Sequence, residues 1–78
     1  MIDPQTRHNI RKIREIKGYS QDYMAIELEV SSKSYSRIEC GKTGLSISRL
    51  KNIAEILGLS AGEIIDFDSK NIFLKKNG

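Results

Sequence analysis

The stretch Tyr19–Lys42, YSQDYMAIELEVSSKSYSRIECGK, holds two helical patterns of unequal richness with a very short break between them. Ser20 is a capping residue ahead of Met24, Ala25 and Leu28, which share one face at helical spacing. The pattern closes at Glu29, and a new cap stands at Ser31. From there to Cys40 only Tyr35 and Ile38 are large and apolar, while serines, a lysine and an arginine fill most of the rest. A helix with so little core needs a reason other than packing. Together the two segments fit an αα corner: a small residue at the crossing, Ala25, a turn of three or four residues, and inward apolar positions at Met24, Leu28, Val30, Tyr35 and Ile38.

The flanks carry equally clear punctuation. Upstream, Asp3 and Pro4 form a cap and first-turn pair, Ile10, Ile13 and Lys17 fall at i, i+3 and i+7, and Gly18 supplies the stop. Downstream, Gly41 ends the serine-rich helix and KTGL makes a loop. Ser46 then opens SISRLKNIAEILG, where Ile47, Leu50, Ile53, Ala54 and Leu57 trace a 3.6-residue stripe stopped by Gly58. Ser60 and Glu63 make an S-x-x-E capping box ahead of Ile64, Ile65 and Phe67, which predicts a short fifth helix. Residues 69–78, SKNIFLKKNG, show no clear period, and no strand-like alternation or internal repeat is found elsewhere. The pattern predicts a compact all-α domain of five helices over residues 1–68, followed by a C-terminal tail at 69–78.

Size and composition narrow the function. Seventy-eight residues allow one small domain and one modest core, too little for a deep cleft between lobes, so a binding module is expected rather than an enzyme. No apolar run approaches the ~18 residues of a membrane span, and the N-terminus lacks the apolar region of a secretory signal, so the chain is expected in the cytoplasm. With one cysteine, Cys40, and one histidine, His8, neither an internal disulfide nor a Cys/His metal cluster can form, and no metal or cofactor is expected. The serines have no acid–base partner to activate them, because His8 belongs to another helix and no aspartate completes a triad. The net charge of +3 is unevenly spread. Residues 7 to 51 carry ten Lys/Arg against five Asp/Glu, and residues 52 to 68 carry four acids and no base. That asymmetry fits a polyanion at one end of the molecule or a scattered surface charge, and composition does not separate the two.

Two charges stand where apolar residues belong. Arg14 lies in the stripe of the first helix beside Ile10 and Ile13, and Glu39 follows Ile38 on the third. A half-buried charge without a counter-ion is costly, so the two are expected to pair across the helices.

With these residues in view, the segment YSQDYMAIELEVSSKSYSRIECGK and the following LSISRLKNIAEILGLSAGEI resemble the phage repressor and Cro-like (XRE-type) helix-turn-helix family. The resemblance covers roughly residues 7 to 67. It implies a lambda-repressor-like five-helix fold with helices two and three as the helix-turn-helix, and an Arg-to-Glu pair at the positions of Arg14 and Glu39. It also implies a sequence-specific double-stranded DNA-binding transcriptional regulator, a dimeric repressor or autoregulator acting by operator occupancy. The alternative is a protein-interaction module, such as an antitoxin that binds a partner protein.

Under that resemblance the serine-rich helix has its reason. A helix lying in the major groove needs a narrow apolar seam behind it and donors in front. Ser32 and Lys33, with Ser36 and Arg37 one turn later, lie on or near the face opposite Tyr35 and Ile38. Lys33 and Arg37 are the candidates for base edges, because their donors match the guanine O6 and N7 acceptors. Gln21 resembles the family glutamine that braces against a phosphate and the recognition helix, and Lys42 and Thr43 would reach backbone phosphates. Two positions depart from the pattern: Glu29 stands where glycine is usual, so a left-handed non-glycine residue is expected, and Cys40 stands where a phosphate-touching asparagine is common. The apolar residues Leu59, Ile64, Ile65 and Phe67, with Ile72, Phe73 and Leu74 in the tail, exceed what so small a domain easily buries. A dimer interface through the fifth helix and the tail, at Ile64, Ile65, Phe67, Ile72, Phe73 and Leu74, is expected, setting two recognition helices ~34 Å apart; the alternative is that Ile72 to Leu74 fold back over the domain or fray.

Overall fold

A computed structural model describes residues 3–68. These residues form five helices: α1 (Pro4–Ile16), α2 (Gln21–Leu28), α3 (Ser32–Cys40), α4 (Ile47–Leu57) and α5 (Ala61–Ile65). No strand is found among the described residues. Each helix begins on a capping side chain, Asp3, Ser20, Ser31, Ser46 or Ser60, whose oxygen accepts the N–H of the residue three places on. One of the donors that a helix start leaves without a partner is thereby satisfied at every start. At α5 the box is reciprocal, since Glu63 Oε1 also accepts the Ser60 N–H at 2.9 Å.

The turn between α2 and α3 is built by a residue in the left-handed region. Glu29 has φ of +60°, and the Val30 N–H then donates back to the Ala25 carbonyl at 3.0 Å, so the chain reverses within three residues. The expected left-handed non-glycine residue is therefore present, a conformation that costs a side-chain-bearing residue about 1 kcal/mol. Gly41 ends α3 with φ of +88°, where any β-carbon would be strained, and lets Lys42 N–H reach the Arg37 carbonyl at 2.9 Å.

The core joins all five helices. Ile10 and Ile13 from α1, Met24, Ala25 and Leu28 from α2, Tyr35 and Ile38 from α3, and Leu50, Ile53, Ala54 and Leu57 from α4 are buried together with Ile64 of α5. Val30 is only partly buried against this cluster. In the α4 stripe Ile47 departs from expectation, being 54% exposed, because it stands at the first position of the helix and the loop residue Leu45 is buried instead.

One interface expectation is corrected. Ile64 was expected to face a second copy, yet it is fully buried in the chain's own core. Burial of such a side chain is worth roughly 2 kcal/mol, and none of its surface remains to offer a partner. Ile65 stays exposed and Phe67 half-buried, whereas Ile72, Phe73 and Leu74 lie outside the described residues. Asn9 explains how so short a helix as α5 is held. Its buried amide donates to the Ile64 carbonyl at 2.9 Å, tying α1 to the end of α5 across 55 positions of sequence.

Candidate nucleic-acid interface

The third helix is anchored from behind by three residues. Tyr35 and Ile38 enter the core, and Glu39 is buried beside them. Arg14 meets Glu39 in a fork, Nε to Oε2 at 2.9 Å and an Nη to Oε1 at 3.0 Å, while its other Nη donates to the Tyr19 carbonyl at 2.7 Å. The Tyr35 hydroxyl donates to Glu39 Oε2 at 2.7 Å, and the Gln21 amide donates to Oε1 at 3.1 Å. One carboxylate thus accepts four hydrogen bonds from α1, α2 and α3. This arrangement satisfies the condition on which a buried charge is tolerable, a counter-ion plus hydrogen bonds for the remaining lone pairs.

The electrostatics follow from these contacts. Burial alone would raise the Glu39 carboxyl, but the hydrogen bonds from Arg14, Tyr35 and Gln21 and the Arg14 charge outweigh it and hold the group below its ordinary value. The hydrogen bond to Glu39 raises Arg14 against the opposing effect of burial. Burial, and then the adjacent carboxylate, push the Tyr35 phenol well above its ordinary value, so it remains a donor.

The outward face of α3 has the opposite character. Lys33 and Arg37 are exposed on the side away from Tyr35, Ile38 and Glu39, Ser36 is half-buried at the edge of that side, and Ser32 is exposed in the first turn, close to Glu39 in direction round the axis. The side chains of Lys33 and Arg37 have no hydrogen-bond or ion-pair partner among the described residues. Ser32 Oγ donates to Asp22 Oδ1, which links the first turn of α3 to the first turn of α2. Lys42 and Thr43 are exposed directly after the helix, and their backbone N–H groups both donate to the Arg37 carbonyl. A face of this kind offers cationic and hydroxyl donors from a rigid rod, which suits acceptors on base edges and phosphates.

Gln21 sits where α2 begins, half-buried, with its amide on Glu39. Its amide thereby ties the start of α2 to α3. Cys40 is exposed at the last turn of α3 with its thiol toward the Arg37 carbonyl at 3.7 Å. Arg7 was not singled out by sequence. From α1 it donates to the Ile38 carbonyl, 31 residues away, at the C-terminal end of α3. An α1 arginine has no local signal of such a role, whereas Asn9 could have been found, since Thr6, Asn9 and Ile13 continue one buried stripe at helical spacing.

Comparison with known proteins agrees with this geometry. Residues 8–67 match the family described as a helix-turn-helix domain. The chain is also similar to the SPbeta prophage-derived uncharacterized HTH-type transcriptional regulator YonR of Bacillus subtilis (strain 168), with 37% identity over 51 residues, 65% of this chain and 47% of that protein. The chain spans about half the length of that curated relative. No solved structure matches it.

Proposed function

The chain belongs to the helix-turn-helix domain family, of the phage repressor and Cro-like type, and on that premise we propose that it is a regulator that binds double-stranded DNA sequence-specifically through α3. The observation that carries this reading is the division of α3 into two faces. Tyr35, Ile38 and Glu39 fix the helix, and Lys33 and Arg37 stand out from it without internal partners among the described residues. Lys33 and Arg37 read base edges, with Ser32 and Ser36 beside them, while Gln21, Lys42 and Thr43 hold phosphates and set the register. The similarity to a prophage-derived transcriptional regulator supports control of transcription as the use of that binding.

In the fuller reading, residues 1–68 are the DNA-binding domain and the protein acts as a dimer that controls transcription by occupying its operator. A single helix reads only a few base pairs, and two copies on a symmetric site double the contacts. Ile65, 46% exposed, and Phe67 are the described apolar residues that favour pairing at the α5 end. No helix among the described residues is long and apolar enough to cross a membrane.

Selection of bound sequences from a random duplex pool tests the proposal. A recovered consensus, with affinity that falls steeply as salt rises, is the expected result. Failure to enrich any sequence, together with salt-insensitive binding, refutes it. Light scattering and titration against one and two half-sites test the dimer, and a monomer at high concentration that saturates a single half-site refutes that part alone.

A further inference from the structure

Three adjoining grooves run along one side of the domain, and each shares part of its wall with the next. The first is bordered by Arg11, Gln21 and Cys40. The second is bordered by Arg7, Arg11, Cys40 and Gly41, and the third by Arg7, Gly41, Ser46 and Arg49. Together they make a continuous band from the start of α2, past the C-terminal end of α3, to the first turn of α4. Arginines border it throughout. The one acid in its walls, Glu39, has a side chain only 3% exposed and spends its carboxylate on Arg14, Tyr35 and Gln21.

We propose that Arg11, Arg7 and Arg49 form a track for one phosphate backbone strand of DNA, beside the groove that α3 enters. The inference rests on the DNA-binding reading above and extends it to residues outside the helix-turn-helix unit. The lengths agree with this placement. A helix with side chains is about 10–12 Å across and fills the ~12 Å width of a major groove, so residues that flank α3 on the neighbouring elements face the phosphate walls. The band flanks α3 at its C-terminal end. Arg7 and Arg11 are one turn apart on α1, about 6 Å, and a DNA strand carries a charge every ~3.4 Å of axis, so the pair covers about two phosphates.

The three side chains differ in what already holds them. Arg7 gives one donor to the Ile38 carbonyl and has others in its fork to offer. Arg11 pairs with Glu15 at 3.3 Å on the exposed surface, a weak contact that a phosphate can replace. The side chain of Arg49 has no hydrogen-bond or ion-pair partner among the described residues, so it is the cleanest to test. Lys51 provides a matched control. It is exposed two positions further along α4, which turns it about 200° from Arg49, and it borders none of the three grooves.

The experiment is a salt titration of duplex binding by the full chain and by Arg49→Gln, Arg11→Gln, Arg7→Gln, Arg7→Lys and Lys51→Gln, each checked for folding by circular dichroism melting. The expected result is that the slope of log affinity against log salt shrinks by about 0.9 for each of the three Arg→Gln changes, with base preferences unchanged. Arg7→Lys and Lys51→Gln should keep the wild-type slope. Folded Arg49→Gln and Arg11→Gln proteins with the wild-type slope overturn the track while leaving the DNA reading intact. So does a Lys51→Gln variant that loses as much slope as they do, since general charge would then be the cause. A wild-type chain without salt-sensitive duplex binding removes the function and the track together.

Discussion

Replacing Glu39 by methionine removes the acceptor on which Arg14, Tyr35 and Gln21 converge. The guanidinium of Arg14 then stays in a site where the residue is 9% exposed, with only the Tyr19 carbonyl as partner. Breaking a buried pair from one side costs about 3 to 5 kcal/mol. At roughly 0.05 to 0.15 kcal/mol per residue, a domain of this length has about 4 to 12 kcal/mol in total, so Glu39→Met should leave it marginal or unfolded at room temperature. Arg14→Met strands the carboxylate instead and should cost a comparable amount, cushioned by the Tyr35 and Gln21 donors. The double change to two apolar side chains strands no charge, so its loss should fall short of the sum of the singles by about 2 to 3 kcal/mol. Urea denaturation of the four proteins, with the single variants measured near 5 °C if needed, gives the coupling directly. Single-variant losses that simply add in the double would show that the fork contributes nothing as a pair, and the account of how α3 is held would be wrong.

Lys33→Ala and Arg37→Ala should each weaken binding to the selected operator by about 1 to 3 kcal/mol and relax preference at one base pair, whereas Lys42→Ala should weaken all duplexes alike; unchanged base preferences in the first two would refute their role in readout. The folded Glu39 carboxyl lies below its ordinary value of 4.5, so the unfolded chain takes up its proton first and the stability it contributes, complete above that value, drains as pH falls through the lower folded one. Melting temperature should therefore drop below about pH 4.5, and Glu39→Gln should flatten that part of the profile; a variant with the wild-type acid profile would place the titration elsewhere. Glu29→Gly, which relieves a left-handed side-chain-bearing residue, should raise stability by up to about 1 kcal/mol, and a lower melting temperature would contradict the strain at that turn.

The legible parts of the sequence were those governed by local chemistry. The caps at Asp3, Ser20, Ser31, Ser46 and Ser60 act within three residues of themselves, and their hydrogen bonds sit where the pattern placed them. Arg14 and Glu39 could be matched across 25 positions because each stood as a lone charge on an apolar stripe, and their distances have the form of a pair. What was not legible depends on where distant carbonyls come to rest. Arg7 on Ile38 and Asn9 on Ile64 are side-chain contacts to backbone groups, and a carbonyl has no sequence signature. Ile64 was misassigned for a related reason: a surplus of apolar residues near the chain's end shows that something must be covered, without showing which of them the domain covers itself.

The division of α3 into a held face and an outward face separates two kinds of inheritance. Substitutions at Tyr35, Ile38 or Glu39 are constrained by the fold, because each is buried among other elements. Those at Lys33 and Arg37 meet no internal partner among the described residues, so under the proposed function a new side chain there would change what is recognised at little cost to how the domain stands. On that proposal a lineage built on this scaffold could drift from one operator to another by single steps, as interchangeable type in a fixed frame, and the frame is closed by the buried carboxylate of Glu39.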